Sequence, residues 1–153
     1  MSKGDSIHMI QSFVAGYPNL IIIDPDDKIN WEDALNRLPC LSVDLSQLNY
    51  PSLEDFIINL SSNLSKVLLI KNIDKIPVNS DKEYWETIIT IGLKGEEYPI
   101  TIETKDGYYK TFNLPFDRIR VITTCSQYPD YLKDKGMLGY ILDLSDHDSE
   151  DVS

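Results

Sequence analysis

Apolar residues fall along the chain in blocks whose period changes. Leu20–Ile23 and Val67–Ile70 are unbroken apolar runs, the pattern of short strands buried on both faces of a parallel sheet. Leu41–Leu45 alternates as LSVDL and predicts a half-exposed edge strand. Ile7, Ile10, Phe13 and Val14 recur at helical spacing, predicting a helix over Ser6–Ala15 that Asp5 or Ser6 caps and Gly16 and Pro18 stop. Asn30 caps a second helix through Arg37, with Trp31, Ala34, Leu35 and Leu38 on one face and Pro39 beyond it. Ser52 caps a third, whose first turn carries Glu54 and Asp55 and whose buried stripe is Leu53, Phe56, Ile57 and Leu60. A fourth opens at Ser80 or Asp81, carries Tyr84, Trp85, Ile88, Ile89 and Leu93, and has Gly92 and Gly95 to mark its end. Ile100–Thr104 and Tyr108–Phe112 alternate around Asp106-Gly107, a two-residue hairpin signal. Arg118–Thr124 reads as a strand, Tyr131–Lys135 as a short helix and Tyr140–Leu144 as a last strand. Strands alternating with helices predict an α/β fold.

The stretch Val67–Ile76, VLLIKNIDKI, resembles the Walker B strand of the AAA+ ATPases, in which four apolar residues precede Asp-Glu and an Ile-Asp tail. Ile73-Asp74-Lys75-Ile76 matches that tail. The Asp-Glu pair is replaced by Lys71 and Asn72. The resemblance implies that these two positions would hold magnesium and polarise water; a cation and an amide do neither. The helix ending at Gly16-Tyr17-Pro18-Asn19 and the Leu20–Ile23 strand resemble the start of the nucleotide-binding strand of clamp-loader and helicase-loader AAA+ proteins. In that family a glycine-rich loop follows, whose backbone N–H groups close around phosphate oxygens. Here the loop is Asp24-Pro25-Asp26-Asp27-Lys28, which lacks glycine and turns three carboxylates toward the phosphate position, where Asp24, Asp26 and Asp27 are expected to balance the charge of Lys71. Thr124-Cys125-Ser126 resembles the sensor-1 segment without its asparagine. In Leu132–Leu144, Asp134 and Met137 stand where the family has arginines.

The resemblance spans Ile7–Leu144. It implies a three-layer αβα, P-loop NTPase-like core over 1–144. Its five parallel strands would run in the order fifth-first-fourth-third-second, with a β-hairpin inserted before the fourth. Residues 145–153, rich in acids, read as a disordered tail. Phosphate loop, Walker B acids, arginine finger and lid are all degenerate or missing. The resemblance therefore implies a pseudo-ATPase with no catalytic residue, no cofactor and no metal, acting as a protein-interaction or assembly module. An AAA+ ATPase or a replication protein is the partner it implies. Tyr98, Tyr108, Tyr109 and Phe112 gather on or beside the hairpin as a candidate interface.

Composition narrows the function classes. The chain of 153 residues carries a formal net charge of −11, which disfavours a general nucleic-acid surface and suits a basic protein partner. No apolar run reaches membrane-spanning length and the N-terminus has no signal-peptide core, so a cytoplasmic location is expected. Cys40 and Cys125 read as core thiols, and His8 and His147 form no ligand pattern with them. Arg118 and Arg120 alternate on one strand face, where pairing with nearby acids is expected. One enzymatic alternative remains. Asp24-Pro25-Asp26 at a strand end resembles the D-x-D of the haloacid-dehalogenase phosphatases, which would make Asp24 a nucleophile and Asp24 with Asp26 magnesium ligands. Thr124 or Ser126, Lys133 or Lys135, and Asp143 with Asp146 would fill that family's other motifs.

Overall fold

The computed structural model describes residues 19–26, 40–47, 52–62, 67–133, 135–136 and 139–144. The helices expected over Ser6–Ala15 and Asn30–Arg37, the acidic tail, and Asp27, Lys28, Asp134 and Met137 lie outside the described residues.

The chain is α/β. Five strands, β1 (Asn19–Ile23), β2 (Cys40–Asp44), β3 (Val67–Lys71), β6 (Arg120–Cys125) and β7 (Tyr140–Asp143), form one sheet in the order β2-β3-β6-β1-β7. Every pairing in it is parallel. The fourth parallel strand therefore lies between the first and the third. The continuous apolar runs sit where burial demands them: Leu20–Ile22 of β1 and Val67–Ile70 of β3 are buried, and each of these strands has a neighbour on either side. β2, which alternates, is at one end of the sheet. Its Val43 is buried while Ser42 is exposed.

Two helices are seen among the described residues. α1 (Leu53–Ser62) buries Leu53, Phe56, Ile57 and Leu60, the stripe its spacing predicts. The Ser52 hydroxyl accepts from Asp55 N–H at 3.3 Å, closing its first turn. α2 (Lys82–Lys94) buries Trp85, Ile88, Ile89 and Leu93. The Phe56 and Trp85 rings meet at 4.9 Å between centroids, tilted by 50°, and join the two helices. Of the two glycines expected to end α2, only Gly95 does so. It adopts φ 75° and its N–H returns to the carbonyls of Ile91 and Gly92. Gly92 lies within the helix and is buried. A Cβ there would meet Phe116 and Val121 at 3.3 Å, so its absence sets how closely α2 approaches the sheet.

The hairpin forms its own two-stranded antiparallel sheet from β4 (Glu97–Glu103) and β5 (Tyr109–Pro115). Its turn differs from the two-residue form expected. Gly107 N–H donates to Thr104 O, Thr104 N–H donates to Tyr108 O, and Gly107 has φ 86°. Three residues thus span the tip, the pattern of a turn followed by a left-handed bulge glycine. Ile100, Ile102 and Leu114 join the same core as the helices. The fourth parallel strand begins at Arg120, two residues later than expected. Arg118 precedes it in a turn, its N–H donating to Pro115 O, and its side chain pairs with exposed Asp117. A single 3-10 turn (Asp130–Leu132) replaces the short helix expected over Tyr131–Lys135, since Pro129 fixes the start one residue earlier.

Candidate functional site

Parallel strands bring their C-terminal ends to one edge of the sheet, where ligands of open α/β folds bind. Here that edge collects Asp24 after β1, Asp44 at the end of β2, Lys71 and Asn72 at the end of β3, and Thr124 and Cys125 at the end of β6. The stretches read as degenerate phosphate loop, Walker B and sensor 1 are thus neighbours in space. β6 joins them: Asp24 N–H donates to Cys125 O at 2.8 Å, and Ile73 N–H to Thr124 O at 3.0 Å.

Asn72 is the non-glycine residue at positive φ, 60°, among those described. Asparagine tolerates that conformation better than most residues, and its surroundings hold it there. Its N–H donates to Thr124 Oγ1 at 3.1 Å, and its carbonyl accepts from Lys75 N–H at 2.9 Å. Its side-chain Nδ2 donates to Asp44 Oδ1 at 2.7 Å and to Ser46 Oγ at 3.1 Å. Ser46 donates to the same Oδ1 from its backbone N–H, at 3.0 Å, and from its hydroxyl, at 2.7 Å.

Lys71 stands 3.9 Å from Asp44 Oδ2. Its partner is thus the carboxylate on the adjacent strand and not the expected Asp24 loop. Register explains this. Asp44 is directly paired with Lys71, whereas β6 lies between β3 and β1, so Asp24 is two strand spacings away, roughly 10 Å. Asp24 is buried and Asp26 exposed.

Burial pushes the Asp44 carboxyl up. The hydrogen bonds from Asn72 and Ser46, with the Lys71 charge, outweigh it and leave the group below its ordinary value of 3.8. A depressed carboxylate contributes stability that is present above its unfolded value and lost as pH falls through its folded one. Melting temperature should therefore fall on acidification below about pH 4, and Asp44→Asn should flatten that part of the profile. An unchanged slope in the variant would show that Asp44 is not the group involved.

The sensor-like segment is occupied by structural contacts. Asp74 Oδ2 accepts from Ser126 N–H at 3.1 Å and Gln127 N–H at 3.4 Å, and Tyr131 OH donates to Ile73 O at 2.7 Å. Burial, aided by the negative charges of Asp74 and Asp143, pushes the Cys125 thiol up to about 12. It is a free, buried cysteine, protonated at neutral pH and hence a poor nucleophile. Burial, with Glu86, Cys125 and Asp74 nearby, likewise holds the Tyr131 phenol well above its ordinary value.

A cleft of about 680 Å³ opens beside this edge, between α2 and residues 127–133. Asp74, Glu86, Tyr128 and Tyr131 line it, but Asp24, Lys71 and Asn72 do not. The hairpin aromatics divide between two environments: Tyr98 and Phe112 pack against the core, while Tyr108 and Tyr109 are 55% and 69% exposed.

Sequence reasoning missed Asp44, Ser46 and Asn19. The first was legible in principle, since β2 ends in Asp beside the strand that ends in Lys. Asn19 is buried at the opposite end of β1. Its Nδ2 donates to Leu93 O at 3.0 Å and its Oδ1 accepts from Val121 N–H at 2.9 Å. Nothing local in the sequence marks it.

No known protein-family model matches the chain, and no curated protein is significantly similar to it in sequence.

Proposed function

We propose that the chain is a non-catalytic, AAA+-like module of the P-loop NTPase type, a pseudo-ATPase that works by binding another protein. Its strand order supports the reading: numbered along the chain, the parallel strands run fifth-first-fourth-third-second, the order the resemblance implies. The helical layers on both faces of the sheet belong to the proposal. The observation that carries the loss of chemistry is the engagement of Lys71 and Asn72. In an active relative these positions would hold metal and water; here both side chains turn onto Asp44. A lysine ammonium cannot take the place of a metal-holding carboxylate, and an amide cannot act as a general base.

The partner in this reading is an AAA+ ATPase or replication-type protein, met in the cytoplasm. Tyr108 and Tyr109 supply exposed aromatic surface at the hairpin. No helix among the described residues is long and apolar enough to cross a membrane.

Titration with magnesium and ATP tests the reading. A ligand that binds the native state raises its stability by mass action, by about 2.7 kcal/mol at a concentration one hundred times Kd. The expected melting temperature is the same with and without millimolar Mg-ATP. An upward shift that scales with ATP would overturn the reading.

A further inference from the structure

The hairpin has two outer edges, and they differ. Thr104 N–H donates to Tyr108 O. Two residues further along each strand, Ile102 with Lys110 and then Ile100 with Phe112 are the next hydrogen-bonded pairs of this register. Thr101 and Thr111, whose hydroxyls meet at 2.7 Å, form a pair without backbone bonds between them. The N–H and C=O groups of Thr101 and Glu103 therefore point away from β5, and those of Tyr109, Thr111 and Asn113 point away from β4. On this outer side of β5, none of the three residues' backbone groups has a hydrogen-bond partner among the described residues.

A free edge is a template for another strand, and proteins blunt such edges with proline and charge. β4 is blunted in this way. Its outer positions hold Glu97, Pro99, Thr101 and Glu103, so one N–H is missing and a carboxylate stands at either end. The outer positions of β5 hold Tyr109, Thr111 and Asn113, all exposed and all uncharged, and tyrosine and threonine suit a strand. The one charge on β5, Lys110, lies on the opposite face with its ammonium 5.2 Å from the centre of the Phe112 ring.

We propose that β5 pairs antiparallel with β5 of a second copy of this chain, about a two-fold axis at Thr111. Self-complementarity selects that register. Setting Tyr109 opposite Thr111 of the second copy would place Lys110 opposite Lys110, a like-charge pair. Setting Thr111 opposite Asn113 would place Tyr109 opposite Pro115, which has no N–H and whose carbonyl already accepts from Arg118 N–H. With Thr111 on the axis, Tyr109 meets Asn113, Lys110 meets Phe112, and every open N–H and C=O of the three outer residues is paired. The sheet then runs β4-β5-β5-β4 with Pro99 on both outside edges, so association closes at a dimer. Each copy carries −11, and the copies repel at long range. The β4 carboxylates end three strand spacings apart, roughly 14 Å, beyond the screening length of about 8 Å at physiological salt. Added salt therefore strengthens the dimer. None of these residues belongs to the nucleotide-like motifs, so the inference stands apart from the pseudo-ATPase reading.

Sedimentation of the full chain over rising concentration, with amide hydrogen exchange at both ends of the range, tests it. The expected mass climbs to twice that of the chain and no further, at lower concentration when sodium chloride is added. Exchange should slow with concentration at Tyr109, Thr111 and Asn113 and stay unchanged at Thr101 and Glu103. Thr111→Lys and Thr101→Lys are a matched pair, since each adds one charge and breaks the same hydroxyl contact. Thr111→Lys sets like charges against each other on the axis and should weaken association about tenfold or more; Thr101→Lys should associate like the wild type. The proposal is overturned if the mass stays that of one chain, which would leave the edge to a strand of another protein or to none. It is also overturned if the mass rises without protection of the β5 amides, if salt weakens the dimer, or if the two variants associate equally.

Discussion

Asn19→Ala is expected to destabilise the protein by about 2–4 kcal/mol, the cost of two buried backbone groups left without partners. The side chain bridges three elements. It begins β1, takes the N–H of Val121 in β6 and gives to the carbonyl of Leu93 in the last turn of α2. The surroundings cannot relax to admit water easily, because Asn19 is 6% exposed. Gly95 and Gly139 close around the same residue: a Cβ on either would lie 3.2 Å from an Asn19 atom. Urea unfolding should show a lower midpoint with an unchanged slope. A loss below about 0.5 kcal/mol, the ordinary range for surface substitutions, would mean that neither hydrogen bond contributes as its geometry implies.

Asn19 also shows where sequence reading stops. Its partners lie 74 and 102 residues away, and a single polar residue before an apolar run looks like the loop preceding a strand. The central strands were legible because burial on both faces requires an unbroken apolar run. The edge strand was legible because one exposed face requires alternation. The stripe of α1 followed from periodicity alone, and the hairpin from alternation around Asp106-Gly107. The hairpin's turn was misread because Asp106-Gly107 suits both a two-residue turn and a bulged three-residue one, and the register Glu103↔Tyr109 decides between them. Gly92 was misread as a stop because a helix interior accepts glycine where a neighbour approaches closely, and only the packed fold reveals Phe116 and Val121 there. At the sheet edge, the residues were found and one partnership was not. Lys71 was assigned to the acids after β1, although the expected strand order already placed β2 beside β3.

That partnership sets the second large effect. Lys71→Asp with Asn72→Glu places an acid pair where the AAA+ resemblance would have one, yet no ATP turnover is expected. The variant would still lack the glycine-rich loop after β1, where Asp24-Pro25-Asp26 stands, and phosphoryl transfer depends on the phosphates being positioned. Stability should drop for three separable reasons. Asp at 71 faces Asp44 across a direct parallel pair, so an attraction at 3.9 Å becomes a repulsion. Glu at 72 cannot donate to Asp44 Oδ1, which ends the 2.7 Å charge-assisted bond. The same Glu must adopt φ 60°, a conformation less favourable to it than to asparagine. Together these predict a loss of about 2–4 kcal/mol at neutral pH, with the hydrogen bond to a charged group as the largest share. Single variants apportion it. Asn72→Gly keeps the backbone geometry and loses only the side-chain bonds, so it should fall between the wild type and Asn72→Ala, which loses the bonds and strains the backbone. Adding Asp44→Asn to the double variant should recover part of the loss by removing the like charge. A double variant that melts as high as the wild type would overturn the role of Asp44 as the partner of both residues, and one that gains ATP turnover would overturn the proposed pseudo-ATPase reading.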